Sequence, residues 1–131
     1  MSKRGDDDLA RRWHDLMSDY HRVSCVLDRT LQESHGVTAS EFAILEQLAG
    51  ASEHSLRMHE LGEHAHVTQS ALSRLVARLE ADGLVSRKMC TEDRRAVWTC
   101  LTDKGLDRYR AARPAQREVL RSVLVTATPT T

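Results

Sequence analysis

The stretch Asp82-Gly-Leu-Val-Ser-Arg-Lys-Met-Cys-Thr-Glu-Asp-Arg-Arg-Ala-Val-Trp-Thr-Cys-Leu-Thr-Asp-Lys-Gly105 decides how this chain is read. Within it, Leu84-Val-Ser-Arg-Lys88 and Ala96-Val-Trp-Thr-Cys-Leu101 are short runs carrying β-branched and aromatic residues, and they predict two antiparallel strands. The charged cluster Asp93-Arg94-Arg95 falls at the end of the loop between them. Gly83 suits the close of a preceding helix, and Thr102 suits the cap of a following one. A charged hairpin between two helices lets a small helical protein set a helix in one DNA groove and a basic loop in the next.

Upstream of the hairpin, Thr68 can cap a helix running to about Asp82, with Leu72, Leu75, Val76 and Leu79 on one face. Before it, Met58, Leu61 and Ala65 mark a short helix that contains Gly62 at some cost in propensity, and the chain turns at His66-Val67. Two helices joined by so short a turn form a helix-turn-helix unit, whose second helix is free to enter a major groove. Residues 51 to 56 read as a loop. Thr38-Ala-Ser-Glu41 fits a capping box opening another helix, with Phe42, Leu45 and Leu48 or Ala49 on its apolar face and an end near Gly50.

At the amino end, Leu9, Trp13, Leu16, Tyr20, Val23, Leu27 and Leu31 recur in steps of three and four, the period of a helix with one apolar face. Gly36 can end that helix, and residues 1 to 8 read as a frayed lead-in. Beyond the hairpin, Leu106, Tyr109 and Ala112 continue a helix that Pro114 is expected to bend or restart. Val119, Leu120, Val123 and Leu124 supply an apolar end, and the threonine-rich residues 126 to 131 read as flexible. The fold class is therefore mainly α with a small β wing, a winged helix-turn-helix domain flanked by terminal helices.

A chain of 131 residues is long enough for one domain and short for two. Its 19 basic and 19 acidic side chains cancel, so bulk composition does not favour nucleic acid. Their distribution does. Residues 28 to 63 hold two basic against seven acidic side chains, a net of −5, whereas residues 64 to 105 hold seven against five, a net of +2. The positive balance falls on the hairpin and the helix before it, where a local field can attract phosphates. No apolar run of membrane length and no secretion signal is seen, so the expected location is cytoplasmic, with no membrane partner. Cys25, Cys90 and Cys100 have neither metal-ligand spacing nor a disulfide framework, and reduced thiols are expected. No nucleotide loop, serine-histidine-acid set or carboxylate pair points to an enzyme, and no cofactor is expected.

In order and spacing, several pieces together resemble the MarR family of winged helix-turn-helix transcriptional regulators. They are Leu31…Gly36-Val-Thr-Ala-Ser-Glu-Phe-Ala-Ile-Leu45, Met58-His-Glu-Leu61, Val67-Thr-Gln-Ser-Ala-Leu-Ser-Arg-Leu-Val76, Leu79-Glu-Ala-Asp-Gly-Leu-Val85, Arg87, Asp93-Arg-Arg95 and Leu101-Thr-Asp-Lys-Gly105. The resemblance covers 9–125 as a single MarR-like domain, with 57–101 as the winged DNA-binding part and 9–35 and 102–125 as dimerisation helices. It implies a homodimer on palindromic double-stranded DNA, usually a repressor, released in many relatives by a small aromatic or anionic effector and in others by cysteine oxidation. Relatives usually continue with another helix after a segment like Pro114 to Leu124, which leaves open how the two copies would intertwine here.

On the reading helix, Thr68, Gln69, Ser70, Ser73, Arg74 and Arg78 lie outside the apolar stripe and are the candidate DNA contacts. Gln69 can pair with adenine and Arg74 with guanine, while Ser70 and Ser73 suit bases or phosphates. The competing reading is a solvated face with an Arg78–Asp82 ion pair one turn apart. In the wing, the resemblance assigns Arg95 to the minor groove and Asp93 to holding the loop. Arg87, Lys88 and Arg94 are better suited to phosphates or packing than to reading bases.

Trp13, Met17, Tyr20 and His21, with His14 beside them, lie on or beside one face of the first helix, the region that lines the effector pocket in relatives of the family it resembles. Aromatic surface with polar tips suits a planar ligand, and it equally suits a dimer core. Cys25 and Cys90 are the possible redox residues, Cys25 because some relatives use a cysteine on the first helix. Cys25 does not sit at the helix amino end that would lower a thiol pKa. His59, His64 and His66 match no compact metal motif, so no metal is expected. Two readings compete with an effector-released repressor: a winged protein-interaction module without DNA binding, and a thiol-based redox-responsive repressor.

Overall fold

The computed structural model describes residues 3–89 and 97–127. Among these residues five α-helices and three strands follow in the order α1 (Lys3–His35), α2 (Ala39–Ala49), β1 (Ser55–Arg57), α3 (Met58–Ala65), α4 (Gln69–Ala81), β2 (Val85–Met89), β3 (Val97–Leu101) and α5 (Asp103–Ala127). The result is the expected mainly α architecture with a small β wing.

Three threonines set the helix starts. Thr38 accepts from the Glu41 amide at 3.1 Å while the Glu41 carboxylate accepts from the Thr38 amide at 3.0 Å, completing the capping box that opens α2. Thr68 accepts from the Ala71 amide at 3.2 Å to open α4, and Thr102 accepts from the Gly105 amide at 3.0 Å to open α5. Each such cap stabilises its helix by roughly 0.5–2 kcal/mol. α3 closes at His66, which takes a left-handed conformation with φ of 59° and turns the chain sharply into Val67 and the Thr68 cap.

Three boundaries differ from the sequence reading. The first helix begins at Lys3, so residues 3–8 extend it instead of forming a lead-in. Apolar spacing marks only the turns that have an apolar face, and polar turns with Asp6 near the positive helix end are silent in that signal. Pro114 neither ends nor restarts its helix but lies inside the continuous α5. It sits on the exposed side, where the backbone hydrogen bond it forfeits is one among the many that hold a 25-residue helix. Residues 51–56, read as a loop, contain a short 3-10 turn at Ser52–His54 and the start of β1. A three-residue strand is too short to show alternation and is created by its partner.

That partner is β3, which lies in the centre of the sheet, in the order β1-β3-β2. Both pairings are antiparallel, with Arg57 opposite Trp98 on one side and Lys88 opposite Trp98 on the other. The core collects Leu31 from α1, Ile44, Leu45 and Leu48 from α2, Leu61 from α3 and Leu72, Val76 and Leu79 from α4, all withdrawn from solvent. α5 adds Ala112 and Val119, and its Tyr109 ring lies 5.4 Å from the Phe42 ring.

Two segments distant in sequence are stitched where the wing meets α5. The Thr102 hydroxyl donates to the Gly83 carbonyl at 2.7 Å, the Thr102 amide to the Leu84 carbonyl at 3.1 Å and Lys104 Nζ to the Asp82 carbonyl at 2.8 Å. Gly105 makes this approach possible, because a Cβ there would collide with the Leu84 carbonyl oxygen and come within 2.7 Å of Leu101 Cδ1. The amino half of α1 is different in kind. Its Leu9, Trp13, Leu16 and Tyr20 form a stripe left in water, with Trp13 62% and Tyr20 75% exposed. No helix among the described residues is long and apolar enough to cross a membrane.

Candidate nucleic-acid interface

The placement of α4 follows from which of its residues must be dry. Leu72, Val76 and Leu79 are fully buried and Leu75 is half-buried, which fixes the rotation of the helix about its axis. The same rotation turns Thr68, Gln69, Ser70, Ser73, Arg74 and Arg78 outward, and all six are exposed. Hydroxyl, amide and guanidinium groups thus share one convex face with no apolar residue large enough to mask them. No ion pair joins Arg74 to another described residue, so its planar fork of donors is available.

Gln69 is held more closely than its neighbours. Its side-chain amide lies across Gly62 of α3, where a Cβ would strike Gln69 Nε2 and touch Leu72 Cδ2 at 3.4 Å. The glycine leaves room for the Gln69 side chain in that position, a flexible and exposed group that a larger residue would displace.

Arg78 departs from the ion pair considered for it. Instead of Asp82 one turn away, its Nε faces Glu41 Oε2 of α2 at 3.7 Å. Glu41 is only 1% exposed, its Oε1 is taken by the Thr38 amide, and Oε2 has no hydrogen-bond partner in the structure. A buried carboxylate oxygen without a donor is costly, and the nearby guanidinium, itself 64% exposed, is its source of compensating charge. Arg78 therefore ties the reading helix to α2, a link invisible in the sequence because the partners lie 37 positions apart in different helices. Arg87 is likewise engaged, with Nε 3.4 Å from Glu80 of α4, whereas Lys88 is exposed.

The sheet adds a group that sequence reasoning missed. Arg57, Trp98 and Lys88 stand side by side across the three strands, and their shared face is opposite to that of the fully buried Thr99. The Arg57 guanidinium lies 5.3 Å from the centre of the Trp98 ring, a cation–π contact that leaves an aromatic residue flanked by two cations. Strand pairing alone assembles the row, and only Lys88 was singled out beforehand. The wing residues Cys90, Asp93, Arg94 and Arg95 lie outside the described residues.

A cavity of about 320 Å³ opens behind the reading unit, between α1, α2, the α3–α4 turn and α5. Tyr20, Leu27 and Asp28 come from α1, Phe42 and Glu46 from α2, and His66 from the turn that precedes the Thr68 cap. Of the four residues expected at an effector pocket, Tyr20 lines this cavity; Trp13, Met17 and His21 do not, and all three are exposed on α1. The helix continues past the domain core, and its amino half is left exposed among the described residues. Asp28 and Glu46 were missed, because charged residues at half-buried positions look like ordinary solvated ones in a sequence.

Both carboxylates are fixed. Asp28 Oδ1 accepts from the Ala39 amide at the start of α2 at 2.7 Å. Glu46 Oε1 accepts from the Tyr109 hydroxyl at 3.1 Å and forms an ion pair with Arg117. The hydrogen bond that Arg117 donates to Glu46, outweighing the opposing effect of burial, holds its guanidinium above the ordinary pKa. Elsewhere, Cys25 is exposed on α1 with its sulfur 3.7 Å from His21 Nε2. His59, His64 and His66 are exposed, and among the described residues no three His, Cys, Asp or Glu side chains converge on a point that could hold a metal.

A model of the MarR family matches residues 35–96 of this chain. YetL, an HTH-type transcriptional repressor of Bacillus subtilis (strain 168), is 33% identical over 89 residues, covering 68% of this chain and 53% of that protein. The homoprotocatechuate degradative operon repressor of Escherichia coli is 28% identical over 95 residues, covering 72% of this chain and 63% of that protein. The chain thus spans less than two thirds of the length of these two relatives. Among solved structures, Sco3205, a MarR family transcriptional regulator from Streptomyces coelicolor solved in complex with DNA, is similar with a TM-score of 0.83 at 31% identity. That match covers 95% of this chain and 77% of the other.

Proposed function

The chain belongs to the MarR family, and on that premise we propose that it is a sequence-specific, double-stranded-DNA-binding regulator of transcription that acts as a homodimer. One observation carries the reading: α4 buries Leu72, Val76 and Leu79 and thereby presents Ser70, Ser73 and Arg74, which has no ion pair among the described residues, on a single exposed face. Arg74 reads guanine, Gln69 and the two serines contribute base or phosphate contacts, and Arg78 stays with Glu41 as a tether more than a reader. Lys88, with Arg57 beside Trp98, contacts phosphates, while Arg95 reaches the minor groove and Asp93 supports its loop. Phosphate contacts position the protein, and the α4 contacts supply the discrimination.

The exposed stripe of Leu9, Trp13, Leu16 and Tyr20 supports the dimer, since a matching helix from a second copy would cover it. Regulation is by repression, in line with the named roles of YetL and the homoprotocatechuate operon repressor. Release follows binding of a small aromatic effector in the cavity, whose wall includes Ala65, His66 and Val67 just ahead of the Thr68 cap. A ligand there bears directly on the turn that aims α4.

Capture of bound genomic fragments, followed by titration of the recovered site at fixed salt, tests the reading. Palindromic fragments are expected. Arg95→Ala is expected to weaken binding severely with an unchanged melting temperature. Arg74→Ala is expected to narrow the gap between operator and scrambled DNA by roughly 1–3 kcal/mol, about fivefold to 150-fold. A folded dimer that captures no fragment overturns the function, and an unchanged specificity ratio rejects base reading by Arg74.

A further inference from the structure

Resting on the reading of the cavity as an effector site, we propose that this chain's effector is a small aromatic cation and that Asp28 is the group selecting it. Carboxylates of Asp28 and Glu46 line the cavity, and no lysine or arginine is among its described lining residues. The features that could welcome an anion are the ring of His66, the amide of Gln116 and the start of α2, whose Ala39 and Ser40 also line the space. At that helix start three amides are already engaged, and the Ser40 amide is the one left over. The Ala39 amide is taken by Asp28 at 2.7 Å, the Thr38 amide by Glu41 at 3.0 Å and the Glu41 amide by Thr38 at 3.1 Å. A carboxylate arriving at the Ser40 amide would sit beside two carboxylates of the protein itself, Asp28 and Glu41, with like-charge repulsion set against its hydrogen bond.

A donor-bearing ligand meets the opposite situation. Asp28 spends one of its several acceptor sites on Ala39, and a carboxylate can accept from an ammonium through its second oxygen at the same time. Glu46 is the weaker anchor because Arg117 offsets its charge. Phe42 and Tyr20 supply ring surface for an aromatic body, and their faces favour a positive charge. A volume of about 320 Å³ suits a bicyclic ring with a short side chain.

Three indoles of matched size separate charge from shape: tryptamine, neutral 3-ethylindole and the acid indole-3-propionate. Calorimetric titration into the DNA-free protein is expected to rank them in that order, with tryptamine at least about tenfold tighter than the neutral compound. Asp28→Asn keeps an oxygen acceptor for the Ala39 amide and is expected to erase the advantage of the amine over 3-ethylindole. The ranking on the parent protein tests the proposal even if that variant is unstable. Equal or tighter binding of the acid, an amine preference that survives in a folded Asp28→Asn protein, or no binding of any of the three overturns it. Because binding is read without DNA, such a failure is separate from a failure to capture operator fragments.

Discussion

The reading helix α4 and the amino half of α1 are both amphipathic helices, yet they dispose of their apolar faces in opposite ways. In α4 the stripe is buried within its own chain by α2, α3 and the sheet, so the polar face is the one left outside. In α1 the stripe is continuous from Leu9 to Leu31, but Val23, Leu27 and Leu31 are buried whereas Leu9, Trp13, Leu16 and Tyr20 are exposed. The change comes within one turn of helix, between Tyr20 and Val23. An apolar period therefore specifies that a face seeks cover, and the remainder of the molecule decides whether that cover comes from the same chain. Burying a large apolar side chain is worth about 1.5–3 kcal/mol, so four left in water forgo several kcal/mol that a second copy can supply.

The most severe test of this contrast is Trp13→Glu combined with Leu16→Glu. Charges placed on the exposed stripe are expected to weaken the proposed dimer by about two to three orders of magnitude. Sedimentation at micromolar concentration would then find monomers, while circular dichroism at low concentration shows the reading unit still folded. A dimer that persists would remove the amino half of α1 from the interface and break the comparison.

A smaller effect is expected at the joint between the two regions. Gly105→Ala forces a methyl group onto the Leu84 carbonyl and Leu101, and backbone on one side leaves little room to relax. A loss of about 1–3 kcal/mol is expected, read as a lower urea midpoint at unchanged slope. No change in midpoint would mean that α5 can shift away from the wing without cost, and that the two regions are less firmly joined than their hydrogen bonds indicate.

The smallest expected effect lies inside the reading unit. Arg78→Ala removes the counter-charge from buried Glu41, and with Arg78 largely exposed and 3.7 Å away the loss is limited by solvent screening to about 1 kcal/mol. Adding Glu41→Gln to that variant is expected to recover stability, since glutamine still accepts from the Thr38 amide and leaves no buried charge. If the double variant is as unstable as Arg78→Ala alone, the guanidinium stabilises α4 through packing, and α4 owes less to α2 than the geometry indicates.

What was legible beforehand shares a physical property: it depends on neighbours a few residues apart. Thr38 with Glu41, Thr68 ahead of α4 and the Leu72–Val76–Leu79 stripe are interactions of one helical turn, and each appears where spacing put it. The outward set on α4 followed from the same stripe by exclusion. β1 was not legible, because three residues carry no period and exist as a strand only through β3. The restart expected at Pro114 does not occur for a related reason: its local penalty is real, but a long helix with a buried opposite face outweighs it.

Sequence alone was sufficient for the five helices and the two wing strands, their order, the caps at Thr38, Thr68 and Thr102 and the polar face of α4 that stays exposed, since these arise from short-range sterics and hydrogen bonds. Only the folded chain brought Arg57 and Lys88 to either side of Trp98, set Arg78 against Glu41, and gathered Asp28, Glu46 and His66 around one cavity. Those groupings join positions tens of residues apart. Their electrostatics depend on burial and on which donors are already taken, quantities that come into being when the helices pack.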